Sequence, residues 1–370
     1  MKKRIFLIFI FVISPIYLFE FYLTLSSKNL TLNNEMRSEF YKNTKKINKE
    51  IQLVINPSFY LNKNKKILPL SGISNAETIY CNENGYFSIY KSDRFGFNNP
   101  DEEWDKKKIE YLLIGDSFTH GACVNRPNDI GSVLRTLSNK SVINLGYGGN
   151  GPLLKLGTFK EYLNLDAKKI IWIYLEGDDL YNLKKEIKDE VLNNYLNDSN
   201  FLQNLKLKKN QINKIVNEIV EENFLNSFYQ SKKNENIRYR ILKFIRLDKT
   251  KKTIFKESPK KKTNNFEEII FIKFKEIVSS ANNIAIKNNS KFYFVYLPEY
   301  NRYHKRYMNK NYDIIKKIIN DLKIPFIDID KEVFQKEENP LKFFPNEKTG
   351  HYNENGYQKV SEAIYNLTKN

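Results

Sequence analysis

Short apolar runs alternate with helix-length stretches from residue 109 onward. Runs of this kind, bounded by glycine or polar residues, are typical of strands that are buried on both faces. The alternation therefore predicts a parallel sheet that is covered by helices, in an α/β fold. Helices are predicted near 311–322 and from about Asn355 to Leu367. The predicted strands are 109–115, 141–146, 168–177, 291–298 and 324–329.

Two stretches do not follow this alternation. Residues 26–75 are polar and weakly periodic, which favours a juxtamembrane linker or helix. Residues from about 184 to 290 are rich in Lys, Glu and Asn with a helical period, and they favour a helical insertion in which Pro259 and the three following lysines form an exposed loop. An α/β domain is accordingly predicted over 76–370.

The first residues, Met-Lys-Lys-Arg, are followed by an apolar stretch from Ile5 to Leu25. Such a stretch is long enough to span a bilayer, which needs about 20 helical residues. A cleaved signal peptide would have a shorter apolar region and a small-residue cleavage site, for which Thr24-Leu25-Ser26 is a poor candidate. We therefore expect residues 1–25 to be a single-pass membrane anchor, with the basic N-terminus in the cytoplasm and the rest of the chain on the extracytoplasmic side.

The net charge of +18 comes from 61 basic residues, of which only 10 are arginines. Recognition of nucleic-acid phosphates uses arginine as well as lysine, and the chain has no zinc-ligand spacing and no RNA-recognition motif. We therefore attribute the charge to lysine-rich composition and expect no nucleic-acid partner. A basic surface that faces an acidic glycan or a lipid headgroup remains open.

The chain has two cysteines, Cys81 and Cys123, and neither lies in a metal-ligand spacing. In an exported protein such a pair can be oxidised. We expect a disulfide that ties the segment before the α/β domain to the helix after Ser117, although sequence alone leaves two separate buried thiols open.

The string GDSFTHG, residues 115–121, follows the first predicted strand. A serine between a strand and a helix has its hydroxyl at the carboxyl edge of the sheet, where open α/β sheets have their sites. Its own N–H can also stabilise an oxyanion. Ser117 is therefore a candidate nucleophile, although a Gly-Asp-Ser turn also fits an ordinary helix cap.

Three more loops are expected at the same edge. The glycine-rich NLGYGGNGP, residues 144–152, would allow a substrate to approach the backbone closely. EGDDL, residues 176–180, follows the third strand. GHYNENGY, residues 350–357, precedes the last helix.

Only three histidines are available to take a proton from the serine hydroxyl. His351 lies in the loop before the last helix and is the strongest candidate. His120 lies on the helix that Ser117 begins, and His304 lies in a loop after a predicted strand, so both are weaker candidates.

These motifs resemble those of the SGNH/GDSL hydrolase superfamily, which are a GDS nucleophile, a Gly, an Asn in G-x-N-D and a C-terminal D-x-x-H. The resemblance covers roughly residues 109–182 and 291–368. It implies Ser117 as nucleophile, Gly149 as an oxyanion donor and His351 as general base. It also implies a flavodoxin-like three-layer α/β/α sandwich, and ester hydrolysis or O-acyl transfer without a metal or organic cofactor.

More narrowly, the chain is similar to membrane-anchored, exported SGNH proteins of bacterial envelope and polysaccharide loci. In these proteins a string like SDRFGFNNPDEEW, residues 92–104, precedes the GDSF motif. The expected function is an extracytoplasmic serine esterase or O-acyltransferase. Its substrate would be an acyl ester, plausibly an acetyl ester, of an envelope carbohydrate or lipid.

Two positions depart from the family pattern. Asp178 stands where the family has Asn, which removes an amide donor from the oxyanion hole unless Asp178 is protonated or turns away. Lys348 stands where the family has the Asp of D-x-x-H. The third triad member would then be Glu347, Asp328 or Asp330, or would be absent. These departures motivate a second hypothesis, a catalytically impaired SGNH domain that serves as a glycan-binding or assembly module.

Overall fold

The computed structural model describes residues 11, 13–26, 28–63, 67–163, 166–225, 241–242, 244–247, 250–251, 264–303, 307 and 309–369. The chain divides into two compact units, residues 1–47 with 219–266 and residues 48–218 with 267–370. The first unit contains helices α1 (Ser14–Ser26) and α2 (Lys28–Ile47). Within the described residues, no helix combines the length and the apolar character needed to cross a membrane. The predicted span begins outside those residues and stays a prediction.

The second unit carries the strands and the remaining α-helices. In chain order the strands are β1 (Gln52–Leu53), β2 (Glu77–Ile79), β3 (Ile89–Lys91), β4 (Ile109–Ile114), β5 (Val142–Asn144), β6 (Ala167–Leu175), β7 (Lys291–Leu297) and β8 (Phe326–Asp328). Helices α3 to α7 are Ser117–His120, Ile130–Ser138, Pro152–Tyr162, Asp179–Glu186 and Glu190–Asn197. Helices α8 to α12 are Lys209–Ile219, Asn264–Lys287, Tyr312–Asp321, Ile329–Glu332 and Glu354–Thr368. Short 3-10 helices lie at Pro57–Phe59, Asp101–Asp105, Leu205–Leu207, Tyr300–Tyr303, Phe334–Lys336, Pro340–Phe343 and Pro345–Glu347. A π-helix at Val220–Leu225 belongs to the first unit.

Strands β4 to β8 form a parallel sheet in the order β5-β4-β6-β7-β8. On one face, Leu113 and Ile173 belong to the same core cluster as Leu134 of α4 and Val360 of α12. On the other face, Tyr174 contacts Phe274 of α9, with ring centroids 5.6 Å apart. Because helices cover both faces, the predicted three-layer α/β/α arrangement with a parallel sheet is confirmed.

The predicted linker over 26–75 differs from the structure. Strand β1 pairs in parallel with β2, and β2 pairs antiparallel with β3, so a second, three-stranded sheet precedes the parallel one. Leu53 and Leu70 are buried, and the compact unit begins at residue 48 rather than 76. The apolar stretches here are too short to show a period, which is why the sequence pattern did not reveal them.

Within the predicted insertion at about 184–290, the described residues include helices α7, α8 and α9, whereas residues 198–204 are turn and coil. The predicted exposed loop at Pro259 lies outside the described residues.

Candidate active site

Ser117 is positioned by the turn that joins β4 to α3. A side chain at Gly115 would place its Cβ only 1.8 Å from Thr119 Oγ1, so this turn requires glycine. The Asp116 carboxylate accepts a hydrogen bond of 3.0 Å from the Phe118 N–H and caps the helix. Ser117 is consequently the first residue of α3, half-buried at the carboxyl end of β4.

Ser117 and His351 are brought together, since Ser117 Oγ lies 2.8 Å from His351 Nε2. His351 precedes α12, whose first turn is capped by Asn353 through a bond of 2.9 Å from Gly356 N–H. The next residue, Tyr352, is buried and donates to the carbonyl of Pro298 at 2.6 Å. These contacts fix the loop on both sides of the imidazole.

Glu83 contacts the other ring nitrogen of this histidine. Its Oε2 and Oε1 lie 3.1 and 3.2 Å from His351 Nδ1, and Oε2 also accepts from the His351 backbone N–H at 2.6 Å. A Cβ at Gly350, where φ is +153°, would lie 2.6 Å from the same Oε2. Ser117, His351 and Glu83 therefore form a continuous hydrogen-bonded chain with the geometry of a Ser-His-acid triad.

The acids expected from the sequence are engaged elsewhere, so that expectation is corrected. Asp330 accepts from Tyr303 and pairs with Arg302 at 2.9 Å. Asp328 accepts from the Tyr312 hydroxyl. Glu347 accepts from Asn339 at 3.0 Å.

A disulfide joins Cys81 to Cys123, as predicted, with Cα atoms 4.9 Å apart. It holds the loop between β2 and β3, which carries Glu83, against the segment that follows α3. In the same loop Asn84 donates to the Cys123 carbonyl at 3.0 Å, and Tyr86 donates to Glu354 of α12 at 2.9 Å. The covalent bond and these two hydrogen bonds hold the Glu83 loop beside Ser117 and His351.

The charges of Glu83 and His351 stabilise each other. Burial acts to raise the pKa of Glu83, but the charge of His351 and its two hydrogen bonds outweigh burial and hold that pKa below the usual value. Burial likewise acts to lower the pKa of His351, whereas the charge and hydrogen bond of Glu83 raise it above its usual value. In neutral His351 the proton belongs on Nδ1, facing the carboxylate, so Nε2 can accept the proton of Ser117.

The SDRFGFNNPDEEW string supports the nucleophile helix rather than the chemistry. Asp93 is buried and accepts from Asn99 Nδ2 and from Trp104 Nε1, both at 2.8 Å. Asn98 donates to the carbonyl of His120, the last residue of α3, at 2.9 Å. The string thereby ties the segment before the α/β domain to the helix that Ser117 begins.

His120 does not face Ser117. Its ring is fully buried among Tyr80, Tyr90 and Tyr147, with centroid distances of 4.7, 4.9 and 5.3 Å. Neither ring nitrogen has a hydrogen-bond partner among the described residues. Burial lowers the pKa of His120 to about 3, so this histidine stays neutral. His304 lies outside the described residues.

Gly149 and Asp178 lie in the loops after β5 and β6. Gly149 has a φ of +74°, and a Cβ there would lie 3.1 Å from Asn56 Nδ2, so both backbone conformation and space favour glycine. Asp178 is exposed just before α6.

A buried charge cluster holds the start of α5 and α6. Lys155 Nζ lies 2.6 Å from Asp179 Oδ1 and 2.9 Å from the Ile173 carbonyl, and both charged side chains are fully buried. Glu186 accepts from the N–H groups of Gly151 and Leu153 at 2.6 and 2.9 Å, and burial raises its pKa to about 7. The glycine-rich loop is thereby fixed where α5 begins.

No protein-family model and no curated protein matches this chain. Among solved structures it is similar to a protein from Desulfitobacterium hafniense DCB-2 that is described as lipolytic and of the G-D-S-L family, with 13% identity and a TM-score of 0.38. It is also similar to the acetyl xylan esterase AlAXEase, with 14% identity and a TM-score of 0.39. Each match covers 70% of this chain and 99% or 100% of the other. At these values neither similarity carries an argument about the reaction.

Proposed function

We propose that this chain is an SGNH-type serine esterase or O-acyltransferase. The observation that carries the proposal is the hydrogen-bonded chain from Ser117 Oγ through the His351 ring to Glu83. An activated nucleophile needs a base within hydrogen-bond reach and a third group that orients the base. All three groups meet these distances.

The reaction follows from the placement of the protons. As Ser117 Oγ attacks the ester carbonyl, Nε2 of His351 takes its proton, and Glu83 stabilises the imidazolium that forms. The same Nε2–H then protonates the departing alkoxide, which leaves an acyl group on Ser117. Water or a second hydroxyl group attacks this acyl-enzyme and completes hydrolysis or transfer. The N–H groups of Ser117 and Gly149 are proposed to hold the oxyanion, which leaves no required role for Asp178.

The proposed substrate is an O-acyl ester, plausibly an acetyl ester, of an envelope carbohydrate or lipid. The resemblance to exported envelope proteins supports this choice. The Cys81–Cys123 disulfide supports an extracytoplasmic location, because disulfides persist in oxidising compartments. Protease added to intact spheroplasts is expected to digest the body of the protein, and protection of that body while a periplasmic control is cleaved would refute the location.

A fluorophosphonate probe tests the chemistry most directly. The Ser117 oxygen is expected to form a bond to phosphorus as fluoride leaves, and mass spectrometry of the intact protein detects the adduct. Ser117→Ala should give no adduct. Ser138→Ala is a matched control, because that hydroxyl donates to the Leu134 carbonyl at 2.6 Å and accepts from the Lys140 N–H at 3.2 Å, neither of them a histidine, and it should label as wild type does. Absence of labelling in folded wild type would instead favour the binding-module hypothesis.

A further inference from the structure

Metal-ligating atoms converge on the side of His351 that faces away from Ser117. One donor atom from each of Cys81, Cys123 and His351 lies within 4.8 Å of the other two. Cys123 Sγ is 3.8 Å from His351 Nδ1, and Glu83 Oε2 is 3.1 Å from the same nitrogen. The two sulfur atoms are bonded to each other, so they are not available as thiolates in this form of the protein.

We propose that opening this disulfide creates a Zn²⁺ site made of Cys81, Cys123 and His351, with a water molecule as the fourth ligand. Zinc prefers four tetrahedral ligands, with bonds of about 2.3 Å to sulfur and about 2.0 to 2.2 Å to nitrogen and oxygen, so that neighbouring donors lie about 3.3 to 3.8 Å apart. The distance of 3.8 Å from Cys123 Sγ to His351 Nδ1 falls at the upper end of that range. The released sulfur atoms need to separate to about 3.8 Å, which side-chain rotation supplies.

The opening step is a two-electron reduction by a dithiol. Its first thiolate bonds to one cysteine sulfur as the Cys81–Cys123 bond breaks, and its second thiol displaces that cysteine. The dithiol becomes a disulfide and both cysteines become thiols. Cys81 and His351 are half-buried whereas Cys123 is fully buried, so attack is expected at Cys81. Zinc then displaces the two thiol protons and binds Nδ1 of His351 in place of its proton.

Metal binding would stop the proposed reaction, and this consequence rests on the proposed function. With zinc on Nδ1, the proton of the neutral imidazole is on Nε2, the nitrogen 2.8 Å from Ser117 Oγ. A protonated Nε2 donates to the serine and cannot accept its proton. Glu83 also loses the Nδ1–H that it accepts in the metal-free protein. The disulfide therefore keeps the general base free of metal, besides holding Glu83 in place.

The experiment compares oxidised protein with protein that is reduced by dithiothreitol and freed of reductant under nitrogen. Equilibrium dialysis against Zn²⁺ with metal analysis is expected to give one zinc per reduced chain and none for the oxidised chain. Co²⁺ should give the intense visible bands of a tetrahedral site and thiolate-to-metal charge transfer. Removing a group that only hydrogen-bonds to a zinc ligand typically weakens zinc affinity by about 10- to 100-fold. Because His351 is itself a proposed ligand, His351→Ala should weaken zinc binding by at least about 100-fold.

Two variants separate this proposal from the catalytic one. Ser117→Ala should bind zinc as tightly as wild type when reduced, although it lacks esterase activity. The double variant Cys81→Ser/Cys123→Ser should not bind under any condition. The proposal is overturned if reduced protein binds no more zinc than oxidised protein, if binding does not depend on His351, or if circular dichroism shows that reduction unfolds the second unit.

Discussion

Glu83→Gln is the substitution that most directly tests the active-site geometry. The carboxylate contacts the imidazole at 3.1 Å, with exposed side-chain fractions of 22% for His351 and 25% for Glu83. Unit charges at this separation attract by about 5 kcal/mol at an effective dielectric constant of about 20. The remaining exposure reduces the attraction to about 4 kcal/mol by solvent screening. Since about 1.4 kcal/mol corresponds to a tenfold change in rate, kcat should fall by about 10³-fold.

The pH dependence gives a second readout, which a merely structural defect would not reproduce. Wild type gains kcat/KM as pH rises through the raised pKa of His351, because the base works only when neutral. In Glu83→Gln the burial of His351 is opposed only by the weaker effects of Asp116 and Asp178, so the pKa of His351 falls. In the plot of kcat/KM against pH, the rising part at acidic pH (the acid limb) should therefore shift to lower pH, and the maximum value reached above it should fall.

The same pair predicts how stability depends on pH. Glu83 has a lowered pKa, so its contribution is present above the usual value of 4.5 and is lost as pH falls through the folded-state pKa. His351 has a raised pKa, so its contribution is complete below 6.5 and is lost as pH rises through the folded-state pKa. The free energy of unfolding of wild type should exceed that of Glu83→Gln most clearly between these two values.

The assay is hydrolysis of p-nitrophenyl acetate, followed from about pH 5 to about pH 9 so that the acid limb is defined. Glu347→Gln is the matched control. The Glu347 carboxylate accepts a hydrogen bond from Asn339 and is not hydrogen-bonded to His351. The Glu347→Gln variant should therefore have the rate of wild type and the same acid limb in its pH profile. An unchanged acid limb in Glu83→Gln, or a loss of rate smaller than about tenfold, would contradict the assignment of Glu83 as the residue that orients His351.

Three further predictions concern the surroundings of the site. Replacing Cys81 and Cys123 by serine removes a link across 42 residues, and denaturant unfolding should show a loss of about 4 kcal/mol. Lys155→Met leaves the buried Asp179 carboxylate without its cation and should lower the free energy of unfolding by about 3 to 5 kcal/mol. The double variant Lys155→Met/Asp179→Leu should lose less stability, and equal losses in the two variants would refute the pairing. Asp178→Asn removes an exposed charge worth about 1 kcal/mol at about 4 Å in water, so kcat should change by no more than about fivefold. Because the charge of Asp178 contributes less than that of Glu83 to the raised pKa of His351, the acid limb should move to lower pH by less than in Glu83→Gln.

The sheet was predictable because its strands are buried on both faces. Ile171 and Trp172 of β6 point to opposite faces and both are fully buried, so the strand reads as a continuous apolar run. The small sheet was not predictable in this way. Strands β1, β2 and β3 have only two or three residues each, so no period develops. Their residues are buried by contacts with distant parts of the chain, which a local pattern does not record.

Ser117 and His351 were found as candidates because each lies in a short motif next to a predicted strand or helix. Glu83 was missed because it is separated from His351 by 268 residues and lies in a loop without a recognisable motif. One signal in the sequence pointed to it. Cys81 is two residues before Glu83 and Cys123 is six residues after Ser117, so the predicted disulfide already placed an acid close to the nucleophile.

The position of Glu83 makes catalysis depend on residues that precede the parallel sheet. In the D-x-x-H pattern the acid and the base share one loop, so their distance is fixed locally; here Lys348 occupies that position and the acid comes from the loop between β2 and β3. A carboxylate on a separate segment orients a histidine only if that segment is fixed. The disulfide, the Asn84 and Tyr86 hydrogen bonds and the 2.6 Å bond from the His351 N–H fix it. The cross-links of the Glu83 loop are therefore part of the proposed catalytic apparatus, and a fragment that begins at β4 would retain Ser117 and His351 but lack an oriented base.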